Sequence, residues 1–358
     1  MAVEISAPPP RSLRSLRGIV VPKFVSLIGR RVLAALLVIW GVVTLTFLLT
    51  RVFGGDPVNL FAQPTSTAAD RAAIRQRLGL ADPIPVQYVH YLRDVIHGNL
   101  GTSYMTFRPV TADLMNRVPA TAELAVCALL FGVTVGVAVG VLSAVFEGSI
   151  FDRASRLLTS AGLALPQFWV ALMLIVIFFD RLHVLPGPTG RLPIGAFPPP
   201  KVTGFYLIDS IITGHLSTFW PALRQLILPV LVLGYGVSSP IARGARASMI
   251  LALKADYVRT ARALGLSRAR TWFVYAFRNA MLPVITMFAG TVAWTFSGTV
   301  LIEGVFGWPG VGQYALSSLE NSDFPALQGF VLYASILYVI VYQLLDIAYT
   351  FADPRIRS

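Results

Sequence analysis

The chain has 358 residues, of which 55% are hydrophobic and only 13% are charged, and its mean hydropathy is +0.69. Soluble globular proteins carry about twice that share of charged residues, so the composition excludes that class and indicates a membrane protein with several spans. The net charge of +12 raises nucleic-acid binding as an alternative, whereas the single cysteine, Cys127, excludes an internal disulfide and a cysteine-based metal site.

The first part of the chain combines a basic tail, one span and a polar insert. Residues 1–31 are predicted to form a cytoplasmic tail in which 18–31 lie as an interfacial helix. The apolar run 32–50 has the length of a membrane-spanning helix. Residues 51–118 are polar and rich in turn-forming glycine and proline, which predicts a small extracytoplasmic insert with a short helix at 68–78.

Five further apolar segments follow, and each is long enough to cross a bilayer of about 30 Å as a helix. They lie at 120–145, 157–179, 226–242, 280–302 and 326–349. The segment 226–242 fits a span least well, because Pro229 and Pro240 interrupt it. The predicted fold class is an all-α membrane protein with six transmembrane helices, a core of five of them at 119–350 and a short tail at 351–358.

The distribution of basic residues predicts the orientation in the membrane. Four regions, 1–31, 146–156, 243–278 and 351–358, hold 18 of the 29 Lys and Arg but only 5 of the 17 Asp and Glu. Since basic residues accumulate on the cytoplasmic side, both termini and the connection 243–283 are predicted to be cytoplasmic. Topology therefore explains the net charge, and with no aromatic and basic groove in the sequence, no nucleic-acid partner is expected.

One span carries a stripe of small residues. Gly132, Gly136 and Gly140 recur every four residues and therefore line one face of a helix. This spacing predicts that the face packs closely against a neighbouring helix.

Acidic residues within the apolar segments are few. Asp180, Glu303 and Asp346 lie at the ends of predicted spans, and Glu123 lies near the end of another. A proton or ion relay needs ionisable groups deep in the bilayer. The sequence therefore disfavours a proton-driven carrier.

No motif for catalysis, cofactor binding or metal binding is found. The glycines at 306–312 are not followed by a lysine and are predicted to form a tight re-entrant turn on the extracytoplasmic side. The chain contains no Gly-Lys pair, so it has no Walker loop with which to bind ATP. The four histidines lack ligand spacing. A non-catalytic subunit is expected.

The connection 243–283 carries more than a topology signal. A helix over 248–264 is predicted to end at Gly265, and Ser267 is predicted to cap a second helix that runs to 279. A loop that only fixes topology would explain the arginines, but it would not explain the small residues at 260, 261 and 263. A short helix with small residues can seat in the groove of a partner protein.

This connection resembles the EAA loop of bacterial ABC importer permeases, in the variant of the dipeptide, oligopeptide and nickel family. The matching residues are Tyr257, Val258, Arg259, Thr260, Ala261, Arg262, Ala263, Gly265, Leu266, Arg278, Asn279, Ala280, Leu282 and Pro283. Further matches to the first permease subunit of a peptide importer are GDP at 55–57, LGLADPIPVQY at 78–88, GNLGTSY at 98–104, ALPQFWVALML at 164–174, IEGVFGWPGVG at 302–312 and DPRI at 353–356. Leu264 departs from the family, in which lysine is common.

The resemblance implies a type I ABC importer permease fold and an assembly of several subunits. Its partners would be a homologous second permease, two ATPase subunits that bind ATP and Mg²⁺, and an extracytoplasmic solute-binding protein. The residues predicted to couple to the ATPases are Asp256, Tyr257, Arg259, Thr260, Ala261, Arg262, Ala263, Gly265 and Leu266. Gly265→Pro, or a bulky residue in place of Ala261, is expected to abolish uptake while the chain remains expressed.

Substrate identity stays open at the level of sequence. Peptides are the leading substrate class, while nickel chelates, glutathione, haem and oligosaccharides are carried by relatives in the same family. No residue is predicted to bind the substrate. The remaining functional classes are an ATP-independent carrier or channel, which would transport alone in liposomes, and a structural or signalling membrane protein, whose deletion would leave uptake unchanged.

Overall fold

The computed structural model describes residues 17–53, 57–62 and 65–352, and every regular element in these ranges is a helix. The first half contains α1 (Arg17–Leu48), α2 (Val58–Phe61), α3 (Ala68–Arg77), α4 (Ile84–Ile96), α5 (Val110–Val145), α6 (Ile150–Ala164) and α7 (Gln167–Ile175). The second half contains α8 (Tyr206–Ile212), α9 (Leu216–Lys254), α10 (Asp256–Ala263), α11 (Arg268–Arg270), α12 (Phe277–Phe306), α13 (Val311–Glu320) and α14 (Phe324–Ala352). Residues 1–16, most of the GDP motif and the DPRI motif lie outside the described residues.

Five helical segments in the described ranges are long and apolar enough to cross a membrane. They are Gly29–Arg51, Val110–Val145, Leu216–Lys254, Pro283–Phe306 and Phe324–Leu344. These segments agree with five of the six predicted spans. The structure also joins the predicted interfacial helix and the first span in one continuous helix, α1.

The predicted span at 157–179 is not a single straight helix. Helices α6 and α7 meet at a bend of 110°. Leu165 adopts an extended conformation with φ −81° and ψ 134°, and Pro166 precedes α7. A proline disfavours helical backbone in the residue before it, which explains the break. Together Ile150–Ala164 and Gln167–Arg181 are long and apolar enough for one bent span, and we call this pair the broken span.

Prolines do not interrupt α9, the helix around which the bundle is built. Pro221, Pro229 and Pro240 lie inside it, yet it runs from Leu216 to Lys254, well beyond the predicted 226–242. It is the most buried of the candidate spans. Neighbouring helices and local backbone adjustment let membrane helices accommodate proline, so the proline signal that predicted a weak span was wrong here.

Helices α5 and α9 pack with very close backbones. A Cβ built on Gly132 would lie 2.7 Å from the carbonyl oxygen of Gly234, and one on Gly136 would lie 2.8 Å from that of Ser238. A Cβ on Gly140 would clash with the Ala242 carbonyl. Real Cβ atoms do not approach so closely, so the predicted packing role of the glycine stripe is confirmed.

The polar insert is helical and rests on the bundle. The predicted helix at 68–78 is confirmed as α3, which Thr67 and Asp70 cap reciprocally, whereas α4 was not predicted. Helix α5 begins at Val110, inside the segment predicted as insert. The Ser103 hydroxyl donates to Asp323 Oδ2 at 2.5 Å, which fixes the end of the insert to the start of α14.

Candidate coupling site

The connection 243–283, which was predicted to be cytoplasmic, contains a short helix, α10, that is separated from the helices before and after it. Helix α9 ends at Lys254, and Ala255 is extended with φ −71° and ψ 151°, so α10 leaves in a new direction. The predicted continuous helix at 248–264 is therefore wrong. Its predicted end is confirmed, because Gly265 has φ +75° and the Leu266 N–H donates to the Ala261 carbonyl at 3.2 Å.

The chain returns to the bundle without a further interruption. The Ser267 hydroxyl accepts from the Arg270 N–H at 3.4 Å, as predicted for a cap. A π-helical turn at Thr271–Ala276 then leads into α12, which runs through Pro283 to Phe306. The predicted end at 279 is wrong, and the consequence is a continuous helical connection from the cap to the membrane span.

One face of α10 is buried against the bundle. Val258 is 0% exposed and Ala261 is 3% exposed. Val258 belongs to an apolar cluster at the end of the bundle where α10 lies. We call this end of the bundle the basic end. The other buried members of this cluster, named here the α10 seat, are Val141, Ala144, Met249, Ala252, Ala276 and Ala280. Helix α10 packs against α9 and the π-helical turn Thr271–Ala276, and the cluster continues from there into α5 and the start of α12.

The opposite face of α10 is open. Most of the residues predicted to couple to the ATPases are exposed there: Asp256, Tyr257, Arg259, Thr260, Arg262, Ala263 and Gly265. Leu266 is half-buried. Leu264 is 76% exposed. Arg259 and Asp256 form a loose pair at 3.4 Å between exposed side chains, which adds little stability. This face therefore offers small, basic and apolar groups to a partner without first breaking any buried contact.

The structure separates two roles among the predicted coupling residues. Ala261 was grouped with the contact residues, but its buried side chain seats α10 and cannot touch a partner. Val258, the main anchor, was missing from that group. Its signal in the sequence is the spacing of three between Val258 and Ala261, matched by Met249 and Ala252 on α9, which places apolar side chains on one helical face.

The other end of the bundle is closed by buried polar contacts. Glu303, which is 0% exposed, accepts hydrogen bonds from the Thr121 hydroxyl at 2.6 Å and from the N–H groups of Gly312 and Gln313 at 2.7 and 3.0 Å. The Trp308 indole N–H donates to the Ala120 carbonyl at 2.9 Å. The glycine-rich turn at 306–312 therefore binds a carboxylate of its own chain, which explains its glycines without a phosphate.

Glu123 also has a partner at this opposite end. Arg191 Nη2 lies 2.5 Å from Glu123 Oε2, and the two side chains are 8% and 3% exposed. The Leu207 N–H donates to Glu123 Oε1 at 2.9 Å. Within the described residues no group of three or more His, Cys, Asp or Glu side chains is placed to hold a metal ion.

Comparison with known proteins gives two family matches that together cover most of the chain. Residues 136–358 match the family described as "Binding-protein-dependent transport system inner membrane component". Residues 24–125 match the corresponding amino-terminal family, "Binding-prot-dependent transport system membrane comp, N-term".

Several curated relatives are similar along nearly their whole length. The chain is 41% identical over 333 residues to the probable D,D-dipeptide transport system permease protein DdpB of Escherichia coli, covering 93% of this chain and 98% of that protein. It is 40% identical to the di/tripeptide transport system permease protein DppB of Pseudomonas aeruginosa, with the same coverage of both chains. It is 38% identical to the dipeptide transport system permease protein DppB of Escherichia coli, covering 95% and 96%.

Proposed function

Because the chain belongs to the family of inner-membrane components of binding-protein-dependent transport systems, we propose that it is the permease subunit of an ATP-driven importer of di- or oligopeptides. The names of its relatives support peptides as the substrate class. In this proposal the chain forms half of the translocation pathway and a homologous second permease forms the other half. Two ATPase subunits bind ATP and Mg²⁺, and a solute-binding protein delivers the peptide.

The proposed orientation places α10 and both termini in the cytoplasm. Its support is the concentration of Lys and Arg in the tails and in the connections 146–156 and 243–278. The turn at 306–312 and the insert then lie on the outer side, where the solute-binding protein arrives. Lipid surrounds the spans.

The observation that carries the proposal is the two-faced geometry of α10. Val258 and Ala261 fix it to the bundle while the side that bears Arg259 and Thr260 stays open. An ATPase bound to the open side would move α10 and, through the α10 seat, the ends of α5, α9 and α12. ATP and the loaded solute-binding protein must favour the same conformation, because a ligand shifts an equilibrium only by its difference in affinity for the two states.

The test is reconstitution of all the subunits in proteoliposomes, with dipeptide uptake measured with and without ATP. We expect uptake to require ATP, and we expect Arg259→Glu to lower it about tenfold or more, as for a residue at the centre of an interface. Arg77→Glu, the charge reversal of an exposed arginine on α3 of the insert and away from the proposed ATPase side, is the control: it should keep the wild-type association of the ATPase subunits with the purified permease, which Arg259→Glu should weaken.

Three results would overturn parts of the proposal. Uptake by the purified chain alone would establish a carrier or channel. Equal association of the ATPase subunits with the Arg259→Glu and Arg77→Glu variants would remove the docking role of α10. Uptake of a nickel chelate, glutathione or haem in place of peptides would change the substrate class and leave the ATP-driven mechanism intact.

A further inference from the structure

A second polar contact lies at the basic end, beside the α10 seat. Asp152, in the first turn of α6, is 1% exposed. Its Oδ1 accepts from Arg246 Nε at 2.7 Å and its Oδ2 accepts from Arg246 Nη2 at 3.0 Å. The Ser143 hydroxyl donates to Oδ1 at 2.6 Å and the Gly148 N–H donates to Oδ2 at 3.0 Å. We call these four residues the basic-end clamp.

The basic-end clamp ties the end of α5, the turn after it and the start of α6 to α9, which is distant in sequence. Ser143 belongs to α5, Gly148 to the turn that follows it, and Arg246 to α9, 94 residues from Asp152. Asp152 itself begins α6, the first limb of the broken span. The contact therefore joins the broken span to the two helices whose glycine stripe forms the centre of the bundle.

The basic-end clamp is also continuous with the support of α10. Ser143 lies between Val141 and Ala144, which are members of the α10 seat. Arg246 precedes Met249 and Ala252, which also belong to it. A displacement of α10 therefore acts on the same turns of α5 and α9 that carry Ser143 and Arg246.

The geometry fits transmission of movement better than binding of a ligand. Both carboxylate oxygens of Asp152 accept two hydrogen bonds each, and the group is shielded from solvent, so little capacity is left for a ligand. A bidentate contact between arginine and carboxylate fixes direction as well as distance. It resists sliding of α6 along α9 and around it.

We propose that the basic-end clamp carries the movement of α10 into the broken span α6–α7. This inference rests on the proposed function. In it, Asp152 and Arg246 are positioning residues: they touch neither ATP nor peptide. When the basic-end clamp is intact, α6 moves together with α9. When the clamp is lost, the ATPases still hydrolyse ATP, but the broken span no longer moves with α9.

The test compares Asp152→Asn with Arg156→Ala in the complete importer reconstituted in proteoliposomes. Arg156 also approaches the Asp152 carboxylate, at 3.7 Å, but its side chain is 55% exposed. Removing it perturbs the same site and spares the clamp. The quantity measured is dipeptide taken up per ATP hydrolysed. We expect a loss of about fivefold or more for Asp152→Asn and wild-type uptake per ATP for Arg156→Ala.

A chemical bridge separates transmission from a requirement for folding. Asp152→Cys and Arg246→Cys are combined with Cys127→Ser, and the purified importer is assayed before and after reaction with a flexible thiol crosslinker. Recovery of uptake per ATP after bridging supports transmission. Failure to recover, or wild-type uptake per ATP by Asp152→Asn, overturns it. If the wild-type importer needs no ATP, the proposed function fails instead, so the two failures are distinguishable.

Discussion

The Glu123–Arg191 ion pair is the clearest case in which single residues stabilise this membrane protein. Both side chains are buried, and Arg191 also donates to the Gly204 carbonyl at 2.8 Å and lies over the Tyr206 ring. The pair attaches the loop before α8 to α5. A buried ion pair contributes little when compared with an apolar replacement, but removing one partner strands the other charge.

Replacing Glu123 with Gln should therefore destabilise the chain strongly. We expect a loss of about 3–5 kcal/mol in the free energy of unfolding, measured by denaturant titration of the purified permease in detergent. Arg181→Ala is the control, because its pair with Asp180 is exposed on both sides and should contribute about 1 kcal/mol or less. Equal effects from the two variants would contradict the structural role of the buried pair.

Asp209 predicts a pH dependence at the same end of the molecule. Burial raises the pKa of its carboxyl, but hydrogen bonds from Thr203, Gly204 and Val202 outweigh burial and hold that pKa below its usual value. Since the folded pKa is the lower one, the stabilisation is present above about pH 4 and is lost as the pH falls through the folded pKa. The loop at 202–204 should then open.

Hydrogen exchange can follow this loss locally. Protection factors at 202–204, which correct for the intrinsic pH dependence of exchange, should fall at acidic pH in the wild-type protein. In Asp209→Asn they should be low throughout. Protection in the wild type that stays constant below the ordinary carboxyl pKa would contradict the assignment.

At the scale of whole elements, the contact between α5 and α9 determines the arrangement of the bundle. Its glycines bring backbone against backbone, and α9 is enclosed by α5 on one side and α12 on another, where Val237, Ile241 and Ala245 pack against Val284. The α5–α9 pair connects the basic end of the bundle to the opposite end.

A large residue in the glycine stripe should force these helices apart. Gly136→Leu would drive its side chain into the Ser238 carbonyl and the Ile241 side chain. We expect uptake to be lost together with a fall in thermal stability, because overpacking costs about 1–3 kcal/mol or more. Gly29→Leu on α1, where a Cβ meets nothing within 4 Å, is the control; equal destabilisation by both variants would contradict close packing.

Local sequence signals predicted the elements better than they predicted the breaks between them. Apolar length identified the spans, and Gly265 and Ser267 marked the end of α10 and the start of the next helix. Proline was ambiguous: Pro166 breaks a span, whereas Pro229 and Pro240 lie in an unbroken one. The difference depends on what packs around each proline, and that information is not local.

The polar contacts at the two ends were beyond sequence reasoning for the same reason. Asp152 and Arg246 are 94 residues apart, and Glu123 and Arg191 are 68 apart. Their charges were interpreted as topology signals or as residues near span ends. Only the packing of α5 against α9, together with the return of the loop before α8, brings each pair together.

For the whole molecule, these features describe a bundle that is tied by buried polar contacts at both ends. Helix α10 rests on the basic end, the α5–α9 pair runs through the centre, and Glu303 with the Glu123–Arg191 pair closes the opposite end. The central claim is that an ATPase subunit binds the open face of α10.

Photocrosslinking from α10 tests the central claim most directly. A benzophenone thiol reagent is attached to Thr260→Cys in a Cys127→Ser background, the assembled importer is irradiated, and the covalent partner is identified by mass spectrometry. Ser217→Cys, an exposed position at the start of α9, is the control. We expect an ATPase adduct from Thr260→Cys and none from Ser217→Cys; the absence of an ATPase adduct at Thr260→Cys, or equal adducts at both positions, would show that the open face of α10 does not bind an ATPase subunit.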